Sequence, residues 1–174
     1  MGRFKKDACR GGRLRKKGFI VKEVMLTNGA CTLVDDDDYG WVIEHIWCFH
    51  TGYAARKIKI NGKLKRIFMH RLINHTPANL ETDHINGDKL DNRKTNLRSC
   101  DNARNQQNRQ KASNKSSKYK GVHWHIRDHK WVARIRVNGN QISLGTFQNE
   151  ITAAYTYNIA AKEYFGEFAR LNIL

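Results

Sequence analysis

The chain has 174 residues, with Lys+Arg 32 against Asp+Glu 16, a formal net charge of +16 and a sequence pI near 10.0. That excess favours a polyanionic partner, nucleic acid above all, and a hydrophobic share of 40% with seven Phe, six Tyr and four Trp argues against wholesale disorder. No apolar run approaches the ~20 residues of a membrane span and no apolar signal core follows the basic N-terminus, so a soluble, cytoplasmic protein without a membrane partner is expected.

Residues 1–18 carry eight Lys or Arg opposed only by Asp7, a segment unable to fold alone and suited to lie along phosphates as a flexible arm. From Phe19 to Ile73 short apolar runs (FIVKEVML, ACTLV, YAARKIKI, KRIFMH) are separated by turn pairs at Asn28-Gly29 and Asn61-Gly62, which predicts strands in two hairpins. Between them Asp35 to Asp38 can start a short helix through Val42, Ile43 and Trp47, because carboxylates favour a helix N-terminus. The spacing of a calcium loop is absent from that acidic run. Cys9, Cys31, Cys48 and Cys100 form no CxxC pair, so neither structural zinc nor a disulfide framework is expected, and reduced thiols are.

Past Pro77 the chain is polar and Asn-rich from Asn79 to Gln110, and Ser113 to Lys118 has linker composition. Gly121 to Phe147 reads as three strands (VHWHI, WVARIRV, QISLGTF) with turns at Asp128-His129 and Asn138-Gly139. Glu150 to Phe165 reads as a helix, with Ile151, Ala154, Tyr157 or Asn158, Ala161 and Phe165 on its apolar face. Within the three strands Arg134 and Arg136 share one face by alternation. Trp124 and Trp131 suit half-buried sheet positions, and His123, His125 and His129 lack the Cys or carboxylate partners of a zinc site.

The stretch richest in chemistry runs from MHRLI (Met69 to Ile73) through TDHINGDKLDNRKTNLRSCDNARNQQN (Thr82 to Asn108). That stretch resembles the HNH endonucleases, and the phosphodiester hydrolysis that the resemblance implies needs a deprotonated water and a cation at the phosphate. A neutral imidazole supplies the first, which makes His84 the candidate base. Asp83 and the side-chain carbonyl of Asn105 suit a hard divalent ion that keeps several waters. Consecutive strand residues point to opposite faces, so Asp83 and His84 serve one site only where a strand ends, and Asn86-Gly87 supplies the turn. Asn102, Asn105 and Arg109 would share one face of a short helix.

The ordered set HRLI, DHINGDKLDNR, TNLR and Asn105, about forty residues, resembles the HNH endonucleases, in particular the phage and intron-encoded homing enzymes. The resemblance implies a single-metal ββα-metal core with His84 as base, Asn96 fixing the loop, and Asp83 and Asn105 holding one Mg²⁺ or Mn²⁺. Asn105 stands where the family name would place a third His, as in members that nick one strand. His70 and Arg71 are accessory candidates, for DNA contact or as buttresses.

From Tyr119 onward YKGV, WVARIRV, SLGTF, the Ala-rich helix and the closing Leu171-Asn172 are similar to the plant Apetala/ethylene-response-factor DNA-binding domain. By position the resemblance implies that Lys120, His123, His125, Arg134, Arg136, Gln141 and Ser143 face DNA. Several of the family's contact residues are His, Gln or Ser here, which leaves the target sequence open.

The expectation is an α+β chain. Its parts are a basic arm (1–18), an HNH nuclease domain (19–110) of β-hairpins leading into a ββα-metal core, a linker (111–118), and a three-stranded antiparallel sheet packed on one helix (119–174). The expected activity is site-preferring, divalent-metal-dependent cleavage or nicking of double-stranded DNA, without a small-molecule cofactor, by a monomer in a bacterial or phage-infected cell. The alternative is a DNA-binding regulator whose nuclease core is inactive.

Overall fold

The computed structural model describes residues 15–16, 19–108 and 116–174. Most of the basic arm, Arg109 and the linker up to residue 115 lie outside the described residues. The chain is mixed α+β, and among the described residues its strands form four small antiparallel sheets. It divides into two compact units, Met1–Cys100 and Asp101–Leu174.

In the first unit β1 (Arg15–Lys16), β2 (Phe19–Met25) and β3 (Cys31–Asp35) form one sheet, with the expected turn at Asn28-Gly29, where Gly29 has φ 86°. Helix α1 (Asp36–Ile43) follows at once. Trp47 lies beyond its end, buried, and donates from Nε1 to the Val42 carbonyl at 2.9 Å, so the ring closes the helix C-terminus. Strands β4 (Cys48–His50), β5 (Tyr53–Ile60) and β6 (Lys63–Phe68) make a second sheet, with Asn61 and Gly62 both at positive φ, as a type I′ hairpin requires.

The expected strand through Ile73 stops at Phe68. Met69–Ile73 is instead a helical turn, α2, whose Met69 and Ile73 enter the core with Val24, Leu26, Val34, Val42, Trp47 and Leu97. Helical spacing places both residues on one side, which an alternating strand of five would also do. The local pattern therefore leaves the choice to packing. Cys31 is disulfide-bonded, so the expectation of four reduced thiols fails there. Cys48 and Cys100 are not in disulfides.

Strands β7 (Glu81–His84) and β8 (Leu97–Cys100) form a two-stranded ribbon in which Asp83 faces Arg98 and His84 faces Leu97. The loop between them is docked on the edge of β3. Leu33 N donates to the Leu90 carbonyl and Asn92 N to the Leu33 carbonyl, each at 2.8 Å.

The second unit starts with α3 (Asn102–Asn108), started by Asp101, whose Oδ1 accepts from Arg104 N at 2.8 Å. Strands β9 (Val122–His125), β10 (Lys130–Val137) and β11 (Asn140–Phe147) form a sheet with β10 at its centre. Both expected turns are present, with positive φ at His129, Asn138 and Gly139. Helix α4 (Glu150–Phe165) has the expected bounds and is capped by Asn149, whose side chain accepts from Ile151 N and Thr152 N.

The buried face of α4 is Ala153, Ala154, Tyr157, Ala160 and Ala161, whereas Ile151 is 51% exposed, so its expected core role is not met. Four alanines let the helix lie close on Val122, Ala133 and Ile135, and a bulkier residue would lift it off. Asn172 ties the ends of the unit together. It accepts from Lys120 N at 2.6 Å and donates from Nδ2 to the Lys120 carbonyl, while its own backbone pairs twice with the Asn158 side chain. No described helix is long and apolar enough to cross a membrane.

Candidate active site

Asp83 and His84 close β7, and both are buried, 4% and 5% exposed. Position follows from the ribbon: Asp83 lies opposite Arg98, whose Nε and Nη2 both reach Asp83 Oδ2, at 2.9 and 2.8 Å. This cross-strand pair orients the carboxylate, and the sequence reading gave Arg98 no role. The DH and NLR motifs each fit a strand, but only their register reveals the pairing.

The loop after His84 is held by side chains of its own. Asn96 Oδ1 accepts from Asn86 N at 2.9 Å, and Asn96 Nδ2 donates to the Asp91 carbonyl at 2.8 Å, so one amide spans both ends of the loop. Ile85 N donates to the Asn96 carbonyl, continuing the ribbon. Asp91 takes Arg93 Nε at 2.6 Å, Arg93 Nη2 at 2.5 Å and Asn86 Nδ2 at 2.8 Å. From the other side Asp35 Oδ2 accepts from Lys94 N at 2.7 Å, and Asp38 pairs with Lys94 Nζ at 3.1 Å. The acidic run thus clamps the 3₁₀ turn (Lys94–Asn96) that carries Asn96.

His84 Nε2 lies 3.1 Å from Asn92 Oδ1. Burial pushes the imidazole below its ordinary pKa, against the opposing pull of the Asn92 hydrogen bond and of Asp83, Asp88 and Asp91. A neutral ring at neutral pH is the form a base requires.

His70, on α2, is 7% exposed and sits among rings. Its centroid is 4.9 Å from Tyr53, 5.5 Å from stacked Phe68 and 5.1 Å from His84 in edge contact. Burial, followed by the charges of His84, Arg71 and Lys89, lowers its pKa to about 3. Arg71 is turned to the backbone: its guanidinium donates to the carbonyls of Leu80 at 2.8 Å and Pro77 at 2.9 Å, bracing the segment that leads into β7.

The His70 environment has a stability consequence. The folded protein holds the ring neutral, whereas the unfolded chain protonates it near pH 6.5. Stability is therefore whole above about 6.5 and falls as pH drops toward 3. At pH 5 the loss from this group is about 2 kcal/mol. Urea unfolding at pH 7.5 and pH 5 should show a smaller difference for His70→Phe than for the wild type. Equal differences would mean that His70 is not held neutral.

Asn105 lies on α3, in the second unit. Among the described residues no group of three or more His, Cys, Asp or Glu is gathered as a metal cage. Mg²⁺ is usually bound by one or two protein oxygens with waters and substrate phosphate, so the oxygen donors Asp83 and Asn105 fit its chemistry better than that of zinc.

In the second unit, register and alternation put His123, His125, Arg134, Arg136, Gln141 and Ser143 on one face of the sheet. Arg134 stands opposite Ser143 and Arg136 opposite Gln141, with His125 opposite Lys130 and His123 opposite Val132. The other face, with Val122, Ala133 and Ile135, packs on α4. Trp131 lines that inner side and meets Trp124 edge-on at 5.0 Å. Lys120 is placed differently from the six. Its ammonium donates to the Gln107 carbonyl at the end of α3, and burial, then Arg170, lowers its pKa to about 8.

The hairpin of β5 and β6 was not assigned a role from sequence. Lys57, Lys59, Lys63, Lys65 and Arg66 are all exposed along it, with no acid between Arg56 and Arg66.

An antiparallel ribbon ending in Asp-His, with an Asn-pinned loop, is the arrangement to set beside known proteins. The chain is 30% identical over 151 residues to a protein of Acanthamoeba polyphaga mimivirus described as an uncharacterized HNH endonuclease, a match spanning 83% of this chain and 75% of that relative. No family model matches. With that identity over that share of both proteins, the chain belongs to the HNH endonuclease family.

Proposed function

We propose that the protein is a homing-type, site-preferring DNA endonuclease that hydrolyses phosphodiester bonds with one divalent ion. The observation that carries this reading is the buried Asp83-His84 pair at the end of β7, beside a loop pinned by Asn96, in a member of the HNH family. His84 accepts the proton of the attacking water. Asp83 and Asn105 would hold Mg²⁺ or Mn²⁺, and such an ion, when bound, offsets the charge that develops on the phosphate and the leaving oxygen. Arg98 keeps the Asp83 carboxylate in one orientation, and Asn96 keeps the loop from drifting away from the ribbon.

DNA is gripped by charge and read by the sheet. The exposed cations of the β5 and β6 hairpin suit phosphate contacts, and a two-stranded ribbon fits the major groove. In the second unit, Arg134 and Arg136 with Gln141, Ser143, His123 and His125 share the face that the resemblance to Apetala-like domains would turn toward DNA. Asn105 in place of His favours cutting of a single strand.

The test is purified protein with supercoiled plasmid carrying cognate phage or viral sequence, with and without Mg²⁺. The expected product is nicked circle that appears only with the ion. Linear product would convert the reading to double-strand cleavage. No cleavage with Mg²⁺ or Mn²⁺, alongside retained DNA binding, would leave a DNA-binding regulator.

A further inference from the structure

The ammonium of Lys89, in the loop after β7, is placed by two features of the neighbouring β4–β5 turn. Its Nζ lies 4.4 Å from the centroid of Tyr53, over the ring face. That ring is in turn 6.0 Å from His84 and 4.9 Å from His70, centroid to centroid. The stem runs along the bare backbone of Gly52, where a Cβ would meet Lys89 Cδ at 3.0 Å and Nζ at 3.5 Å. A side chain at 52 would compete with the stem for that space. The charge is also among those that lower the His70 pKa, which puts it beside the buried rings.

The acids that could neutralise this cation are committed elsewhere. Asp88, its neighbour in the chain, accepts from Leu90 N at 3.0 Å. Asp91 takes the Arg93 guanidinium and Asn86 Nδ2, and Asp83 takes Arg98. Among the described residues Lys89 forms no ion pair, and it is exposed. A ring face engages one side of an ammonium, whereas its three N–H donors call for oxygen acceptors.

We propose that Lys89 binds a backbone phosphate of the cut strand next to the bond that is hydrolysed, and so seats the strand against His84. This assignment rests on the reading of the ribbon end as the cutting site. A compact point charge suits a single phosphate. Because stem and head are held before DNA arrives, little side-chain freedom is lost on docking. A contact to a phosphate that does not react is the same in the ground and transition states, so it acts on strand binding rather than on the barrier.

The first test is the salt dependence of DNA binding. The full chain is titrated with random-sequence duplex DNA, without divalent metal, between about 50 and 200 mM salt. Each neutralised phosphate contributes about 0.9 to the slope of log K against log salt. Lys89→Met keeps the stem and removes the charge, so it should reduce the slope by about 0.9 and weaken binding about 5-fold at about 0.15 M salt. Lys89→Arg should restore both. Lys162→Met removes the same charge from an exposed position on α4 and should leave the slope unchanged. An unchanged slope in Lys89→Met, or an equal fall in Lys162→Met, would overturn the proposal. A lysine that only staples the loop to Tyr53 would move the thermal transition and leave the slope alone.

The second test is single-turnover nicking of supercoiled plasmid with Mg²⁺. Lys89→Met should raise the protein concentration for half-maximal rate about 5-fold, with the saturated rate within about 2-fold. A saturated rate lowered more than about 10-fold at unchanged half-saturation would put Lys89 on the reacting phosphate and overturn its assignment to the neighbouring one. The two readings fail differently. A wild type that never nicks, with the slope loss intact, removes the nuclease reading and with it the place of the phosphate. A wild type that nicks, with no slope change in Lys89→Met, removes the Lys89 contact and keeps the nuclease.

Discussion

His84→Ala is expected to slow strand cutting by about 10³-fold while leaving DNA affinity within a few fold. A positioned proton acceptor contributes about 10² to 10⁴ in rate, and it acts in the transition state rather than in docking. The location of the ring supports the split. At 5% exposure His84 offers almost none of the surface that meets DNA, whereas cations able to reach phosphates stand on the β5 and β6 hairpin and on the sheet of the second unit. The substitution also strips Asn92 Oδ1 of its partner in a dry interior, at a cost to stability of about 1–3 kcal/mol. Thermal unfolding must therefore accompany the rate measurement, with His84→Gln as the variant that can still meet Asn92. Plasmid nicking under single-turnover conditions and a binding titration without Mg²⁺ provide the two readouts. Cutting at near the wild-type rate by a folded His84→Ala protein would remove His84 as the base.

What could be read from the residues, and what could not, divides along the range of the interaction. Asn-Gly at 28, 61 and 138 marks turns because a tight hairpin needs positive φ at its centre, a demand that one or two residues answer locally. The same is true of α4, whose apolar spacing from Glu150 to Phe165 is a local pattern, with the Asn149 cap added by the structure. Alternation sufficed to bring Arg134 and Arg136 to one face, and register then added Gln141 and Ser143.

Thr32 and Asn92 are another matter. They are 60 residues apart and meet only because the loop after β7 forms a bridge to β3 at Asp91. Nothing in either neighbourhood announces the other. Arg98 was hidden for a similar reason, since two four-residue strands joined by a long loop do not fix their own register. Lys120 was grouped with the DNA-facing residues by its position in YKGV. Its four-carbon stem reaches the last turn of α3, where the ammonium donates to the Gln107 carbonyl. The four-Asp run reads locally as a helix start, and its grip on Lys94 is again a long-range matter.

Gly121→Ala is expected to unfold the second unit at temperatures the wild type withstands. The glycine has φ +76°, which costs an L-residue strain of about 1–3 kcal/mol. Sterics add more. A Cβ there would lie 2.0 Å from Tyr157 Cδ2, 2.3 Å from Cε2 and 2.7 Å from the Arg134 carbonyl oxygen. The ring has nowhere to go, because Tyr157 is 3% exposed and packed with Ile135, Ala160 and Ala161. Nor can the backbone retreat, since Arg134 N donates to the Gly121 carbonyl at 2.8 Å. Overpacking of this kind costs about 1–3 kcal/mol. The sum of about 2–6 kcal/mol should lower the transition of a unit this size by about 8 °C or more.

Hydrogen exchange separates the units. Amides of β10 and α4 should lose protection in Gly121→Ala, while those of β2 and β3 keep theirs. A Gly121→Ala, Tyr157→Leu double variant divides the two causes, because removing the ring relieves the clash but not the backbone strain. The double variant should then be destabilised by less than the sum of the single effects, by about the size of the steric part. A strictly additive pair, or a Gly121→Ala protein whose transition moves by less than about 2 °C, would mean that the chain at Gly121 and the ring of Tyr157 are not in the contact described.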